Sequence, residues 1–66
     1  MLSARNQFKG TVKDVKLGNV MAEVVISCGS LEIVSAITRS SAENLKLKPG
    51  DAVMAIIKST EVMIDK

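Results

Sequence analysis

Apolar and polar positions alternate with a period of two through most of the chain, and turn signals cut the alternation into short runs. Over residues 6–17, Phe8, Gly10 and Val12 fall on one face. The phase then slips, so that Val15 and Leu17 share the face opposite to Val12. A slip inside one strand predicts a β-bulge near Lys13 or Asp14, with Gly10 permitting a bend. Gly18-Asn19 supplies a hairpin turn. From Val20 to Cys28, the set Val20, Ala22, Val24, Ile26 and Cys28 alternates with Met21, Glu23, Val25 and Ser27. Gly29-Ser30 makes a second two-residue turn, and Leu31 to Thr38 places Leu31, Ile33, Ser35 and Ile37 on one face.

Beyond the third strand the period changes. Ser40-Ser41-Ala42-Glu43 has capping-box spacing and predicts a short helical turn running to Leu45. Lys48-Pro49-Gly50-Asp51 reads as a type II turn, with Pro and Gly at its two central positions. In the next run, Ala52 to Lys58, both alternating sets are apolar: Ala52, Met54 and Ile56 on one side, Val53, Ala55 and Ile57 on the other. A small sheet buries one face on its own core, so the second face predicts burial against another subunit. A last strand is expected over Glu61 to Ile64. The fold class is therefore all-β, one domain over residues 1–66. Its architecture is a small five-stranded Greek-key barrel of the oligonucleotide/oligosaccharide-binding (OB) type, with one short helical turn between strands three and four.

Composition narrows the function. The 66 residues contain no histidine and one cysteine, Cys28. Disulfide staples and a tetrahedral zinc site are thereby excluded, and the commonest general base is missing, which argues against an enzyme. A 66-residue chain sits near the lower limit for a self-sufficient core, so an oligomer is expected. Nine basic and seven acidic residues are evenly mixed, for a net charge of +2. That balance predicts neither a nucleic-acid nor a membrane partner. With no long apolar stretch, no signal-peptide layout and an unpaired cysteine, the expected location is the cytoplasm.

Three polar clusters interrupt the aliphatic pattern: Ser3-Ala4-Arg5-Asn6, Thr38-Arg39-Ser40-Ser41 and Lys58-Ser59-Thr60. Each is rich in donors and holds no carboxylate, which is what a small oxyanion requires. Taken singly, each also has a plain structural reading as a cap, a solvated turn or a surface charge. Met21, Met54 and Met63 lie at strand spacing and read as core or interface fillers rather than metal ligands. Cys28 reads as a small hydrophobe.

The segments Ser3-Ala4-Arg5-Asn6-Gln7-Phe8-Lys9-Gly10, Ala22-Glu23-Val24 and Ala55-Ile56-Ile57-Lys58-Ser59-Thr60-Glu61-Val62-Met63-Ile64 together resemble the molbindins, free-standing Mop domains related to TOBE domains. The resemblance covers essentially the whole chain. It implies a cytoplasmic protein that stores or buffers molybdate, and tungstate as well, without catalysis and without an organic cofactor. It also implies a homo-oligomer, a hexamer built as a trimer of dimers, with anions between subunits. By position, Lys58 and Ser59 match the family's Lys-Ser donors, and Thr38 and Ser41 its hydroxyl donors. Ser3 and Arg5 match the pair contributed by a neighbouring subunit. The metal is held as its oxyanion, with no protein atom as direct ligand. Arg39 departs from the family pattern, and either adds charge beside the site or faces solvent.

The chemistry of the ligand agrees with such donors. Molybdate is a tetrahedral dianion with four acceptor oxygens, whereas phosphate, with a second pKa near about 6, carries a proton that a donor-only site leaves unsatisfied. Two other readings compete. One is a structural or regulatory β-barrel oligomer whose polar clusters are only caps and turns. The other is a DNA-binding module, suggested by the swapped-hairpin-like Leu47-Lys48-Pro49-Gly50-Asp51-Ala52-Val53 and opposed by the low net charge. Single-strand binding is disfavoured further, since one Phe makes no stacking platform.

Overall fold

The computed structural model describes residues 5–66. Four antiparallel strands, β1 (Asn6–Leu17), β2 (Met21–Cys28), β3 (Leu31–Thr38) and β4 (Ala52–Ile57), form one sheet in the order β3-β2-β1-β4. A six-residue helix, α1 (Arg39–Asn44), joins β3 to the β4 side of the fold, and a 3-10 turn (Ser59–Glu61) follows β4. β1 is the longest strand and serves two partners. Its first half pairs with β4, from Asn6↔Ile57 to Thr11↔Ala52, and its second half with β2, from Thr11↔Ser27 to Leu17↔Ala22.

The bulge falls where the hydrophobic phase slips. Val12 pairs with Ile26 and Asp14 with Val25, so Lys13 is the extra residue. One inserted residue returns Val15 to the core face that Phe8 and Val12 occupy. At the same point β1 receives the type II turn: the Val12 N–H donates to the Asp51 carbonyl at 2.9 Å, and the Gly50 N–H to the Val12 carbonyl at 2.8 Å. Gly50 has the positive φ (96°) that the second central position demands. Asp51 closes the turn by accepting from both the ammonium and the backbone N–H of Lys48, each at 3.0 Å. Those two bonds, the ammonium's first, hold the Asp51 carboxyl below its ordinary pKa.

The core is small and aliphatic. Val12, Val24, Ile26, Cys28 and Ala55 are buried, and Phe8, Ile33, Ile37, Leu47 and Val53 pack around them. Cys28 is a free thiol within this cluster, as its place on an apolar face predicts. The inward set of β4 is Val53, Ala55 and Ile57, while Met54 and Ile56 are exposed.

Two expectations are corrected. The helix cap is not Ser40 but Thr38, whose Oγ1 accepts from the Ser41 N–H at 3.2 Å. Glu43 does not reach back to close a capping box, because Arg39 Nε donates to its Oε1 at 3.1 Å. The fifth strand, Glu61 to Ile64, forms no ladder either: Glu61 belongs to the 3-10 turn, and Met63 and Ile64 are more than 90% exposed. Val62 has extended dihedrals (φ −90°, ψ 122°). Alternation can make a segment extended, but pairing also requires a free strand edge within reach.

At its C-terminal end α1 closes as a Schellman motif. The Lys46 N–H donates to the Glu43 carbonyl at 3.0 Å and the Leu47 N–H to the Ala42 carbonyl at 3.2 Å. The motif needs a left-handed residue, and Lys46 supplies it at φ 53°. A side chain there costs about 1 kcal/mol relative to glycine. Lys46→Gly is therefore expected to stabilise the protein by about that amount, raising Tm by roughly 4–8 °C in thermal unfolding.

Candidate functional site

One group of candidate site residues is built where β4 ends and β1 begins. Asn6↔Ile57 is the last pair of their ladder, so Arg5 and Lys58 are the chain neighbours that flank it at this end. Lys58 then leads into the 3-10 turn, in which the Glu61 N–H donates to the Lys58 carbonyl at 2.9 Å. The turn stops β4 abruptly and presents Lys58 and Ser59 side by side on the surface. Arg5, Lys58 and Ser59 are exposed. Among the described residues, none of the three salt bridges uses Arg5 or Lys58: those bridges join Lys13 to Glu32, Arg39 to Glu43 and Lys48 to Asp51. Ser3, the remaining member of this group, lies outside the described residues.

Thr38 and Ser41 are brought together by the first turn of α1. The Thr38 hydroxyl donates to Ser41 Oγ at 2.7 Å while accepting from the Ser41 backbone, and Ser40 Oγ stands 3.4 Å from Thr38 Oγ1. Thr38 is therefore both a cap and a support for Ser41, whose own hydroxyl proton remains for an outside acceptor. Arg39 is spent internally. Besides Glu43, it reaches the Gly18 carbonyl through Nη1 at 3.2 Å, and its backbone N–H donates to the Val20 carbonyl at 2.7 Å. Its guanidinium neutralises the carboxylate nearest to Thr38 and Ser41 in the helix, and fastens the helix to the β1–β2 turn. It neither faces solvent freely nor offers an unengaged charge.

Register also places the two groups of donors at opposite ends of β1. Thr38 pairs with Met21, beside the β1–β2 turn, at the C-terminal end of β1. Arg5 and Lys58 stand at the N-terminal end of β1. The twelve residues of the bulged strand β1 lie between the two groups. The resemblance gave Ser3 and Arg5 to a neighbouring subunit, apart from Lys58, Ser59, Thr38 and Ser41; within one chain Arg5 lies at the β1 end next to Lys58, away from Thr38 and Ser41 along the strand. Asn6, named in the first donor cluster but not as a site residue, donates its Nδ2–H to the Ile57 carbonyl at 3.3 Å, one residue before Lys58.

Two edges of the sheet remain open. No ladder joins β3 to β4 among the described residues, and between them lies an apolar cleft of about 400 Å³, lined by Ile33, Ile37, Leu47, Val53, Ala55 and Ile57 among others. The described residues contain no cluster of three or more His, Cys, Asp or Glu side chains able to hold a metal ion. No helix among them is long and apolar enough to cross a membrane.

Fold and site thus define a small antiparallel β-domain whose polar chemistry lies in exposed donors, with no buried polar or charged side chain among the described residues. The family model described as the TOBE domain matches residues 2–64. The chain is 50% identical over 64 residues to molybdenum-pterin-binding protein 3 of Clostridium pasteurianum, covering 96% of this chain and 94% of that protein. The solved molybdate-binding protein of Sporomusa ovata superposes with a TM-score of 0.94 at 42% identity, covering 100% of this chain and 98% of that one. The cytoplasmic molybdate-binding protein ModG, in a form with molybdate bound, gives a TM-score of 0.84 at 43% identity over 89% of this chain and 43% of ModG. The chain belongs to the TOBE-domain family, within its molybdenum-pterin-binding (Mop, molbindin) members.

Proposed function

We propose that this protein binds molybdate, and tungstate with it, at sites shared between copies of the chain, and stores or buffers the anion in the cytoplasm without catalysis. The observation that carries the shared-site reading is the separation just described. Arg5, Lys58 and Ser59 stand at one end of β1, and Thr38 and Ser41 at the other. In this reading one copy presents the first group and a neighbour the second, so that both surround one oxyanion. Ser3 belongs with Arg5 in this scheme. The donors are two cations and several hydroxyls, suited to a tetrahedral dianion that has acceptors on every side and no proton to give. The named ligand of the similar Sporomusa ovata and ModG proteins supports molybdate, and ModG's described location supports the cytoplasm.

Association has its own physical support. The open β3 and β4 edges, the apolar cleft between them and the exposed Val62, Met63 and Ile64 are complementary liabilities in one chain. Insertion of one copy's Val62–Ile64 segment between β3 and β4 of another supplies the missing fifth strand to each barrel. Met54 and Ile56, exposed on the outer face of β4, add apolar surface for further contacts. The assembly is a hexamer, a trimer of dimers. Because the ligand binds only the assembled form, molybdate stabilises that form by mass action.

Isothermal titration with molybdate in excess sulfate and phosphate, alongside the mass in solution, tests this. Saturable binding to a six-subunit species, with about one anion or more per chain, is the expected result. A folded monomer, or an oligomer that gives no heat, defeats the reading.

A further inference from the structure

We propose that Asn6 is a positioning residue for the anion site, acting through the peptide that carries Lys58; the inference rests on the molybdate-binding reading above. Lys58 and Ser59 are exposed residues at the end of a strand, where a chain ordinarily frays. They are nevertheless held on both sides. On the C-terminal side the 3-10 turn fastens the Lys58 carbonyl through the Glu61 N–H at 2.9 Å. On the N-terminal side the half-buried Asn6 donates its side-chain N–H to the Ile57 carbonyl, 51 residues away in sequence, at 3.3 Å.

That carbonyl has a particular consequence. The Ile57 C=O and the Lys58 N–H belong to one planar peptide, so fixing the oxygen fixes the plane from which the Lys58 Cα and side chain depart. Asn6 is also the chain neighbour of Arg5, and it pairs with Ile57, the residue before Lys58. The Asn6 side chain therefore ties the Lys58 peptide, through the Ile57 carbonyl, to the strand that carries Arg5. A donor held in place before the anion arrives loses less conformational freedom on binding than a free one. Asn6 itself touches no ligand in this scheme.

The test is a double-mutant cycle read by titration with sodium molybdate on the intact oligomer. Asn6→Ala is expected to weaken molybdate binding about five- to tenfold, the scale of one hydrogen bond, with the mass in solution unchanged. In the Lys58→Ala background, followed at higher protein and molybdate concentrations, the same change is expected to alter affinity less than twofold, because the group it positions is gone. Where Asn6→Ala lowers Tm or breaks the assembly, Asn6→Leu replaces it, keeping bulk while lacking the donor. An equal factor in both backgrounds overturns the proposal by showing that Asn6 acts on the structure at large. So does unchanged affinity in the single variant. Failure of the unsubstituted protein to bind molybdate is a different result, and removes the functional reading itself.

Discussion

Lys58→Ala is expected to weaken molybdate binding by roughly 10- to 150-fold while leaving the fold and the assembly intact. The magnitude follows from a hydrogen bond between charged partners, the stronger class of such bonds in water. The indifference of the fold follows from position. Lys58 lies beyond the last ladder pair, is exposed and belongs to none of the salt bridges among the described residues. What the 3-10 turn uses is its backbone carbonyl, which alanine keeps. Titration of the variant with molybdate, with its Tm and solution mass measured beside it, checks both halves. Affinity equal to the unsubstituted protein's would remove this corner from the site, whatever the oligomeric state.

The largest effect on stability is expected from Gly10→Ala. Gly10 lies in β1 where the strand passes over the end of β2. A β-carbon there would sit 2.6 Å from Cys28 Sγ, 2.7 Å from the Ser27 carbonyl oxygen and 2.8 Å from Ile26 Cγ2. One flexible neighbour could give way. Here one contact is backbone and the other two are core side chains, so β1 must lift from β2. Overpacking of this kind costs about 3 kcal/mol, which in a domain of this size lowers Tm by roughly 12–24 °C. Thermal unfolding at fixed protein concentration reads it, the fixed concentration being needed because association shifts Tm. Shortening Cys28 to alanine in the same chain is expected to recover little, since the Ser27 carbonyl still blocks the position. A Gly10→Ala protein melting within a few degrees of the parent would mean that the two strands can separate locally at little cost.

Much of the fold was legible because it is written in local signals. The bulge at Lys13 was readable as a break in period, since one inserted residue moves every later side chain to the other face. The turn at Lys48 to Asp51 was readable because only certain residues tolerate its dihedrals. The cap of α1 was misplaced by two residues for a related reason. Thr38, Ser40 and Ser41 can all cap, and the choice fell to Thr38 once Arg39 had engaged Glu43 and the β1–β2 turn. That engagement is a contact across 21 residues of sequence, which no local pattern contains.

The candidate site divides in the same way. The residue types were visible as three clusters of donors, and their resemblance to the Mop proteins attached a ligand to them. Nothing in their spacing said that Arg5 and Lys58 flank the last β1–β4 pair while Thr38 and Ser41 lie by the β1–β2 turn. That geometry comes from the shared use of β1 by β4 and β2. Nor could spacing show that Arg39 is consumed within the fold, or that Asn6 reaches the Ile57 carbonyl.

By itself, the sequence determined strands β1 to β4, their inward faces, the bulge, the turns and the chemical character of the exposed donors. Each of these depends on residues close along the chain, through steric preference and the two-residue period of a strand. Tertiary structure alone decided which donors lie at which end of β1, which charges are already matched, and that no ladder joins β3 to β4 among the described residues. Those outcomes depend on contacts between distant segments, whose formation is settled by how much apolar surface and how many backbone groups the whole sheet can satisfy at once.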